Sequence, residues 1–153
     1  MKPNTLTQII KNIEQSCHAT ESGTQMHARL HGVTIDEVNH RGTPELISRI
    51  LSVPGLAKMF SPLSRTEVPV AGTICGKFIS RRIDRLLIDK ESKTIDILDY
   101  KTDTSRALHY NEYVNQLNEY AALLHAIYPD YSISGYILWT HDFSLEKLSL
   151  KSL

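Results

Sequence analysis

Cysteine, net charge and long apolar runs are all scarce in this sequence of 153 residues. Its two cysteines, Cys17 and Cys75, stand alone without a C-x-x-C partner. That excludes a zinc ribbon and a four-cysteine iron–sulfur cluster, and a disulfide would be unusual in a cytosolic chain. No apolar run approaches the roughly 20 residues of a membrane helix. The opening Met-Lys-Pro-Asn is too polar for a signal peptide, so we expect a cytoplasmic protein with no membrane partner.

The formal net charge is zero, because 17 basic residues balance 17 acidic ones. Free-standing nucleic-acid binders are usually basic, since neutralisation of phosphates drives their affinity. The balance therefore argues against strong autonomous DNA binding, but not against acting on DNA that a larger partner delivers. The sequence also has no G-x-x-x-x-G-K-S/T phosphate loop, so we expect no nucleotide site within it.

What remains is the composition of an ordinary globular domain, with 41% hydrophobic and 22% charged residues. The length fits one domain. We expect a helical region at residues 1–62, an αβ core at 63–142 and a short C-terminal extension at 143–153. The sequence enters a helical pattern abruptly at Thr5, which favours a fragment of a longer chain.

Apolar residues in the first third recur at helical spacing. The predicted helical segments are residues 5–17, 23–30, 34–39, 44–52 and 56–60. Thr43-Pro44-Glu45 is a strong start signal, because it supplies an N-cap, a proline at the first helical position and an acid in the first turn. Val53-Pro54-Gly55 then ends that helix.

From Arg65 onward the apolar period becomes that of strands. The predicted elements are strands at 66–70, 77–88, 94–101 and 133–139, with a helix at 110–127. Pro69 indicates an edge strand or an irregularity, and a turn flanked by Gly72 and Gly76 follows it. A helix between two strands suits a parallel crossover. The sequence thus predicts an α/β fold, with a mixed central β-sheet flanked by helices in the order α-β-β-β-α-β.

The hairpin made by the second and third predicted strands carries unusual charges. If Glu91 and Ser92 form a two-residue loop, paired residue numbers add to 183 and Asp84 faces Asp99. Opposed residues have Cβ atoms about 4.5–5.5 Å apart, where like charges destabilise a sheet. Lys101 lies two residues after Asp99 and shares its face. Two carboxylates and a lysine suit a divalent cation beside a scissile phosphate better than they suit a core.

Two interpretations of this cluster stay open on the residues alone. Asp84–Arg85 and Asp99–Lys101 can be solvated ion pairs on an exposed face. They can also perform phosphodiester hydrolysis, because Mg²⁺ needs only one or two carboxylates beside the substrate oxygens. The cation activates water and an ammonium neutralises developing charge. The simple register would also oppose Arg82 and Lys101, which an unbroken ladder disfavours.

Ile83-Asp84-Arg85-Leu86 followed by Leu98-Asp99-Tyr100-Lys101-Thr102 resembles the core of the PD-(D/E)xK nuclease superfamily, in particular the C-terminal nuclease domain of RecB- and AddA-type helicase–nuclease subunits. In that family a G-x-x-x-H helix precedes the core, and Gly23-Thr24-Gln25-Met26-His27 matches it. The resemblance runs from about Gly23 to Thr140, with its motifs in the family's order. It implies a restriction-endonuclease-like core.

A Y-x-x-Q-L-x-x-Y helix follows the core in the same family. Its counterparts here are Tyr113, Gln116, Leu117 and Tyr120. The resemblance implies that Gln116 and Tyr120 border the site and support the lysine or touch the DNA backbone. On packing grounds alone these tyrosines would be core residues, and Tyr113 is expected mainly to pack. Glu67 matches an acid that precedes the first core strand's proline in such domains, and is expected behind the ligands.

The resemblance also assigns the ligands. Asp84, Asp99 and the backbone carbonyl of Tyr100 would bind the metal, and Lys101 would be the catalytic lysine. His27 would reach the metal from its helix, a nitrogen ligand that Mn²⁺ tolerates better than Mg²⁺. Without the motif order, His27 would more often be a packed histidine.

The implied function is a Mg²⁺- or Mn²⁺-dependent DNA exonuclease, the nuclease module of a helicase–nuclease that processes double-strand breaks for recombination repair. Its partners would be single-stranded DNA delivered by the motor and a second helicase–nuclease subunit. One alternative is a non-catalytic DNA-guiding or assembly module that keeps the nuclease fold. Another is a free-standing phage or CRISPR-associated nuclease, which the missing four-cysteine cluster disfavours.

Overall fold

The computed structural model describes residues 23–151. The helix predicted over residues 5–17 lies outside the described residues, so the expected helical region at 1–62 is described only from Gly23 onward. That part contributes two helices and a short 3₁₀ turn, and a third helix follows within the αβ core. These are α1 (residues 23–31), α2 (Pro44–Ser52), the 3₁₀ turn (Ala57–Phe60) and α3 (Tyr110–Ile127). None of the helices in residues 23–151 has the length and apolarity needed to cross a membrane.

The predicted helical turn over residues 34–39 is wrong. Thr34 and Arg41 instead form an isolated antiparallel bridge, with both N···O distances at 2.8 Å. Ile35 packs against the core, whereas Val38 is 84% exposed. The segment therefore has one inward apolar residue, not a helical face, and nothing favours a turn of helix over the bridged loop.

Five strands form a single mixed sheet in the order β1-β2-β3-β4-β5. They are β1 (Arg65–Ile74), β2 (Lys77–Asp89), β3 (Thr94–Lys101), β4 (Ser132–Trp139) and β5 (Ser144–Leu148). Only β3 and β4 run parallel, and α3 connects them as predicted. The other neighbours are antiparallel, and β1 with Pro69 lies at an edge. The chain is therefore an α/β protein with a mixed sheet flanked by helices.

β5 adds a strand to the predicted order, in the region expected to be only an extension. It pairs antiparallel with β4 over five positions. Five residues that include Glu146 and Lys147 carry too little apolar alternation to indicate a strand from sequence. Gly72 also differs from expectation, because it lies within β1 while Cys75 and Gly76 form the turn. A Cβ at Gly72 would lie 2.8 Å from Leu123 Cδ2, so glycine allows the close approach of α3.

Different helices cover the two faces of the sheet. The face beneath α3 packs residues of β2, β3 and β4 against Leu117 and Leu124 of that helix, and the strand residues include Ile83, Ile97, Ile137 and Trp139. The opposite face packs on α1, α2 and the 3₁₀ turn, with Leu98, Tyr100, Leu138, Leu30, Ile50 and Phe60 at its centre. β3 is buried on both faces, which is why its sequence is almost continuously apolar. An acidic residue near the C-terminal end of β3 therefore lowers the stability of the fold unless a cation or a hydrogen bond compensates its charge.

The hairpin has the predicted register as far as the pairing extends. Paired residue numbers add to 183, up to Arg85 with Leu98. The ladder stops one position before Asp84 and Asp99, while β2 continues its pairing with β1. The like-charged pair predicted beyond this point is therefore not formed. The two strands diverge where the two acids lie.

Candidate active site

Asp84 lies at the divergence of β2 from β3. Its Oδ2 accepts a hydrogen bond from the backbone N–H of Tyr100 at 2.9 Å. A side-chain carboxylate thus replaces the backbone carbonyl that would otherwise continue the ladder. Burial opposes ionisation of Asp84, but its contacts with His27 and the Tyr100 amide prevail and lower the pKa of its carboxyl group. Asp84 is therefore a fixed, ionised group at the mouth of the hairpin.

His27 reaches this carboxylate from α1. Its Nδ1 lies 2.9 Å from the Gly23 carbonyl, which can only accept, so Nδ1 carries a proton. Nε2 faces Asp84 Oδ2 at 3.4 Å. A neutral ring would direct a lone pair at a carboxylate, so this contact calls for a proton or a cation. The carboxylate accordingly raises the pKa of His27. A carbonyl behind the ring that fixes its tautomer is also the usual arrangement of metal-binding histidines.

Lys101 is held by residues from β3 and α3. Its Nζ lies 2.6 Å from Asp99 Oδ2 and 3.0 Å from Gln116 Oε1. Gln116 Nε2 donates to the Tyr120 hydroxyl at 2.8 Å, and that hydroxyl donates to the Arg82 carbonyl at 3.0 Å. The structure thus brings the predicted Gln116 and Tyr120 together with the lysine. The chain of hydrogen bonds fixes the ammonium and joins α3 to β2.

Tyr113 does more than the packing expected of it. Its ring lies beneath the ammonium of Lys101, with Nζ 4.3 Å from the ring centroid, and it also contacts Trp139. Its hydroxyl donates to the carboxylate of Asp103. The i, i+3 spacing from Gln116 placed Tyr113 on the correct helix face. The role of Asp103 has no sequence signal, because the residue lies in a polar loop.

Asp99 is 2% exposed at the end of β3. Burial raises the pKa of its carboxyl group to about 6, against the opposing effect of Lys101. Although the ammonium is close, Asp99 Oδ2 has no hydrogen-bond partner of suitable geometry within residues 23–151. A buried carboxylate oxygen without a hydrogen bond is expensive. The ion pair with Lys101 therefore compensates the charge of Asp99 only in part.

Asp99→Asn is expected to stabilise the metal-free chain at pH 8. The pKa of Asp99 is raised from 3.8 to about 6 in the folded state, so its stabilising contribution is complete below about pH 4 and is lost as pH rises through 6. The stability of the variant should therefore exceed that of the original chain above pH 6, and the difference should vanish near pH 4. It should stay below about 3 kcal/mol, the equivalent of two pKa units, because Lys101 loses its partner. Thermal unfolding in EDTA at both pH values tests this; a variant less stable at pH 8 contradicts it.

The metal-binding side chains and the catalytic lysine predicted from the resemblance form two pairs rather than one cage. His27 contacts Asp84, and Lys101 contacts Asp99. Within residues 23–151 there is no group of three or more His, Cys, Asp or Glu side chains arranged to hold a metal ion. The donor chemistry still fits a hard divalent cation, because carboxylate oxygens and an imidazole lone pair are available and Asp99 Oδ2 lacks a hydrogen bond. The Tyr100 carbonyl stays a predicted ligand.

Glu67 lies in β1 at the position opposite Asp84, where the otherwise continuous β1–β2 ladder skips one pair. Its φ of 51° is in the left-handed region, which is strained for a residue with a side chain. Its carboxylate is 4.0 Å from His31 Nε2 and 3.9 Å from an Arg82 nitrogen. Glu67 thus lies at the rim of the site, and the place expected for it behind the metal ligands stays a prediction. His31 is half-buried against Tyr100, and desolvation lowers the pKa of its ring.

Arg85 is a buried clamp between α1 and the sheet. It is 3% exposed and its guanidinium lies 4.2 Å above the Phe60 ring centroid. Its acceptors are the Tyr100 hydroxyl at 2.9 Å, the Ser64 hydroxyl at 2.8 Å, and the Leu30 and Val33 carbonyls at 2.9 and 3.2 Å. No carboxylate of residues 23–151 lies within ion-pair distance, so the negative C-terminal end of α1 compensates its charge. Arg85 therefore fixes the helix that carries His27.

Two clefts in the described surface differ in their relation to this cluster. One of about 640 Å³ lies at the far end of β2, near Leu86 and Tyr128, and touches none of the predicted site residues. Another, of about 440 Å³, is lined by Tyr113, Gln116 and Arg81. The smaller cleft is the relevant one, because it opens beside the residues that hold Lys101.

Comparisons with known proteins leave the site to be judged on its geometry. No protein-family model matches the chain, and no curated protein is significantly similar to it. The structure defines an α/β protein in which two acids, a histidine and a lysine meet where β2 and β3 diverge.

Proposed function

We propose that this chain is a metal-dependent nuclease domain with a restriction-endonuclease-like core. The observation that carries the proposal is the convergence of five side chains where β2 and β3 diverge. Asp84, Asp99 and Lys101 come from the hairpin, His27 comes from α1, and Gln116 comes from α3. Solvated surface pairs would not bury an acid at the end of a central strand. The chemical interpretation of the cluster is therefore the better supported one.

The charges of the site explain why a cation is part of the proposal. Asp84 and Asp99 place two carboxylates beside the single ammonium of Lys101. With His27 neutral, as a metal ligand must be, a phosphodiester anion would be repelled by the excess negative charge. Asp84, Asp99, His27 and the Tyr100 carbonyl would hold a Mg²⁺ or Mn²⁺ ion. When bound, that ion supplies Lewis-acid stabilisation of charge on phosphorus and makes water more acidic near neutral pH.

The protein's own residues orient the reaction. Gln116 and the Tyr113 ring hold the Lys101 ammonium, which donates an N–H to a non-bridging phosphate oxygen as charge builds there. The oxygen of water forms a bond to phosphorus, the bond to the leaving sugar oxygen breaks, and a proton from water ends on that oxygen or in solvent. Tyr120 acts through Gln116, because it fixes the amide that faces the lysine.

The proposed substrate is single-stranded DNA, delivered by the motor of a helicase–nuclease that processes double-strand breaks in the cytoplasm. The formal net charge of zero supports delivery by a partner, since such a domain gains little affinity from phosphate neutralisation alone. The motif order, which resembles that of the RecB- and AddA-type nuclease domains, supports the same assignment. A second helicase–nuclease subunit belongs to this proposal.

The test is degradation of a labelled single-stranded oligonucleotide with Mg²⁺ or Mn²⁺, and with EDTA. We expect hydrolysis only with the metal, and a loss of about 10²- to 10³-fold in Lys101→Met, which keeps the apolar stem but removes the ammonium. Lys147→Met is the matched control, because that lysine lies on β5 near Tyr136, away from the site. Full activity of the purified Lys101→Met variant would refute the assignment.

One observation favours the alternative of a non-catalytic DNA-guiding module with a nuclease fold. The described residues hold no three-ligand metal group, and the Lys101 ammonium already sits at Asp99. Calorimetric titration with Mn²⁺ separates the two candidates. A nuclease should show a saturable site that His27→Ala and Asp84→Ala weaken, whereas heat of dilution alone in the original chain would favour the guiding module.

A further inference from the structure

β1 and β2 form a two-stranded arm beyond the point where β3 diverges. The arm's ladder runs from Pro69 paired with Arg82 to Ile74 paired with Lys77. One face packs beneath α3, and Ile79 is buried there in the main core. Side chains alternate between the faces of a strand. The neighbours of Ile79 along β2 therefore belong to the other face, which lies on the side of α1.

That other face is exposed along its whole length. Its members on β2 are Phe78, Ser80 and Arg82, and their partners on β1 are Thr73, Ala71 and Pro69. Phe78 is 68% exposed, and the Arg82 side chain is 67% exposed. Between these two large groups the floor is made of small side chains. The result is a shallow track with an aromatic ring at one end and a guanidinium at the other.

The two adjacent arginines of β2 show that the faces are distinct. Arg81 lies on the α3 face, where its Nε pairs with Glu119 at 3.2 Å. Arg82 lies on the open face, and its only partner within the described residues is Glu67, at 3.9 Å. At that distance, between exposed groups, the pairing contributes little. The guanidinium of Arg82 is available to an anion.

The open face leads directly to the candidate active site. Glu67, which Arg82 contacts, faces His31 on α1, one helical turn after His27. Phe78 and Asp84 are six residues apart on one strand, a distance of about 20 Å. A strand of nucleic acid with stacked bases covers that distance in about six nucleotides.

We propose that this open face of the arm binds single-stranded nucleic acid, with a base stacked on Phe78 and a backbone phosphate on Arg82. A flat aromatic ring accepts the face of any base, and a neighbouring cation follows the backbone, which is how sequence-independent single-strand binders work. The small floor lets an extended strand lie close to the sheet. The direction of the strand toward Asp84 and Lys101 rests on the proposed function, but the binding itself does not.

Fluorescence polarisation of a labelled dT oligonucleotide of about 12 nucleotides tests the surface, with the full chain, EDTA and low salt. We expect Phe78→Ala and Arg82→Ala each to weaken binding about tenfold, and Phe78→Trp to retain it. The log–log salt slope should fall by about one in Arg82→Ala. Lys147→Ala, which removes an exposed cation of β5 away from the arm and the site, and Leu63→Ala, at an exposed apolar residue elsewhere, should bind like the original chain. Circular dichroism verifies folding of each variant.

The outcomes separate this inference from the proposed function, because EDTA prevents hydrolysis. Specific weakening in the Phe78 and Arg82 variants upholds the inference even if the chain proves inactive with metal. Absence of binding by the original chain, unchanged affinity in Phe78→Ala, or equal losses in Lys147→Ala and Arg82→Ala would overturn it. If oligo(U) binds as tightly as oligo(dT), the surface takes single-stranded nucleic acid in general. If oligo(dT) binds more tightly, the surface is specific for DNA. If the chain is active, Phe78→Ala should raise KM only for substrates longer than about six nucleotides.

Discussion

Asp99→Asn is expected to reduce metal-dependent DNA hydrolysis by at least about 10³-fold. The substitution keeps the volume of the side chain but removes the charge that lies 2.6 Å from the Lys101 ammonium. It also removes a proposed metal ligand, so the lysine and the cation are both displaced from the reacting phosphate. The loss should appear in kcat more than in KM, because the lost interactions act on the charge that develops during the reaction. Initial rates at saturating Mn²⁺ measure it.

Asp96→Asn is the matched control for this experiment. Asp96 lies on the same strand, is also buried, and also pairs with a lysine, Lys58 at 2.9 Å. It packs toward the 3₁₀ turn on the opposite side of the sheet from α3, and touches no site residue. We expect its exchange to change stability but to leave the rate near that of the original chain. Equal rate losses in the two variants would mean that burial of any acid in β3 matters, not the chemistry of Asp99.

The second large effect concerns stability. Arg85→Ala should destabilise the fold by about 3–5 kcal/mol, because each buried acceptor left without a donor costs about 1–3 kcal/mol. The substitution leaves the Tyr100 hydroxyl and the Leu30 and Val33 carbonyls without their donor, and opens a cavity over Phe60. Arg85→Lys should recover little, because one ammonium cannot serve all of these acceptors. Urea unfolding followed by circular dichroism gives the free energies.

Arg49 provides the comparison for Arg85. It also lies over a phenylalanine, with its guanidinium carbon 5.2 Å from the Phe143 centroid, but it is exposed on α2. Arg49→Ala should cost only about 0.5–1 kcal/mol. If Arg85→Ala cost no more than that, the clamp would contribute no more than an exposed cation–π contact. The position of α1 would then depend on apolar packing alone.

The parts of the fold that were predictable have strong local patterns. The bounds of β3 and α3 follow from their apolar periodicity. The register predicted from a loop centred on Glu91 and Ser92 is the one that the structure shows, although the turn itself spans residues 90–93. The acids and Lys101 were found because charge is unexpected on a buried strand. That Gln116 lies close to Lys101 was predicted from the order of the motifs along the chain, and no single local pattern indicates it.

The missed features depend on tertiary contacts that leave no local pattern. Arg85 belongs to a run of basic residues that looks like one solvated face, yet it is buried while Arg81 and Arg82 are exposed on opposite faces. Asp103 lies in a loop and gains its role only when Tyr113 comes near. β5 is specified by the open edge of β4 more than by its own residues. Such roles become visible only after the chain has folded.

Because the Tyr100 amide donates a hydrogen bond to Asp84, the fold and the proposed chemistry place different requirements on position 84. The fold needs an acceptor of the right length, since the amide would otherwise be buried without a partner. An asparagine oxygen meets that requirement as well as a carboxylate does, but it brings no charge to the site. A single-nucleotide change from Asp to Asn would therefore abolish the proposed chemistry while the architecture persists. Descendants of such a chain would keep the scaffold and be free to acquire other uses for it.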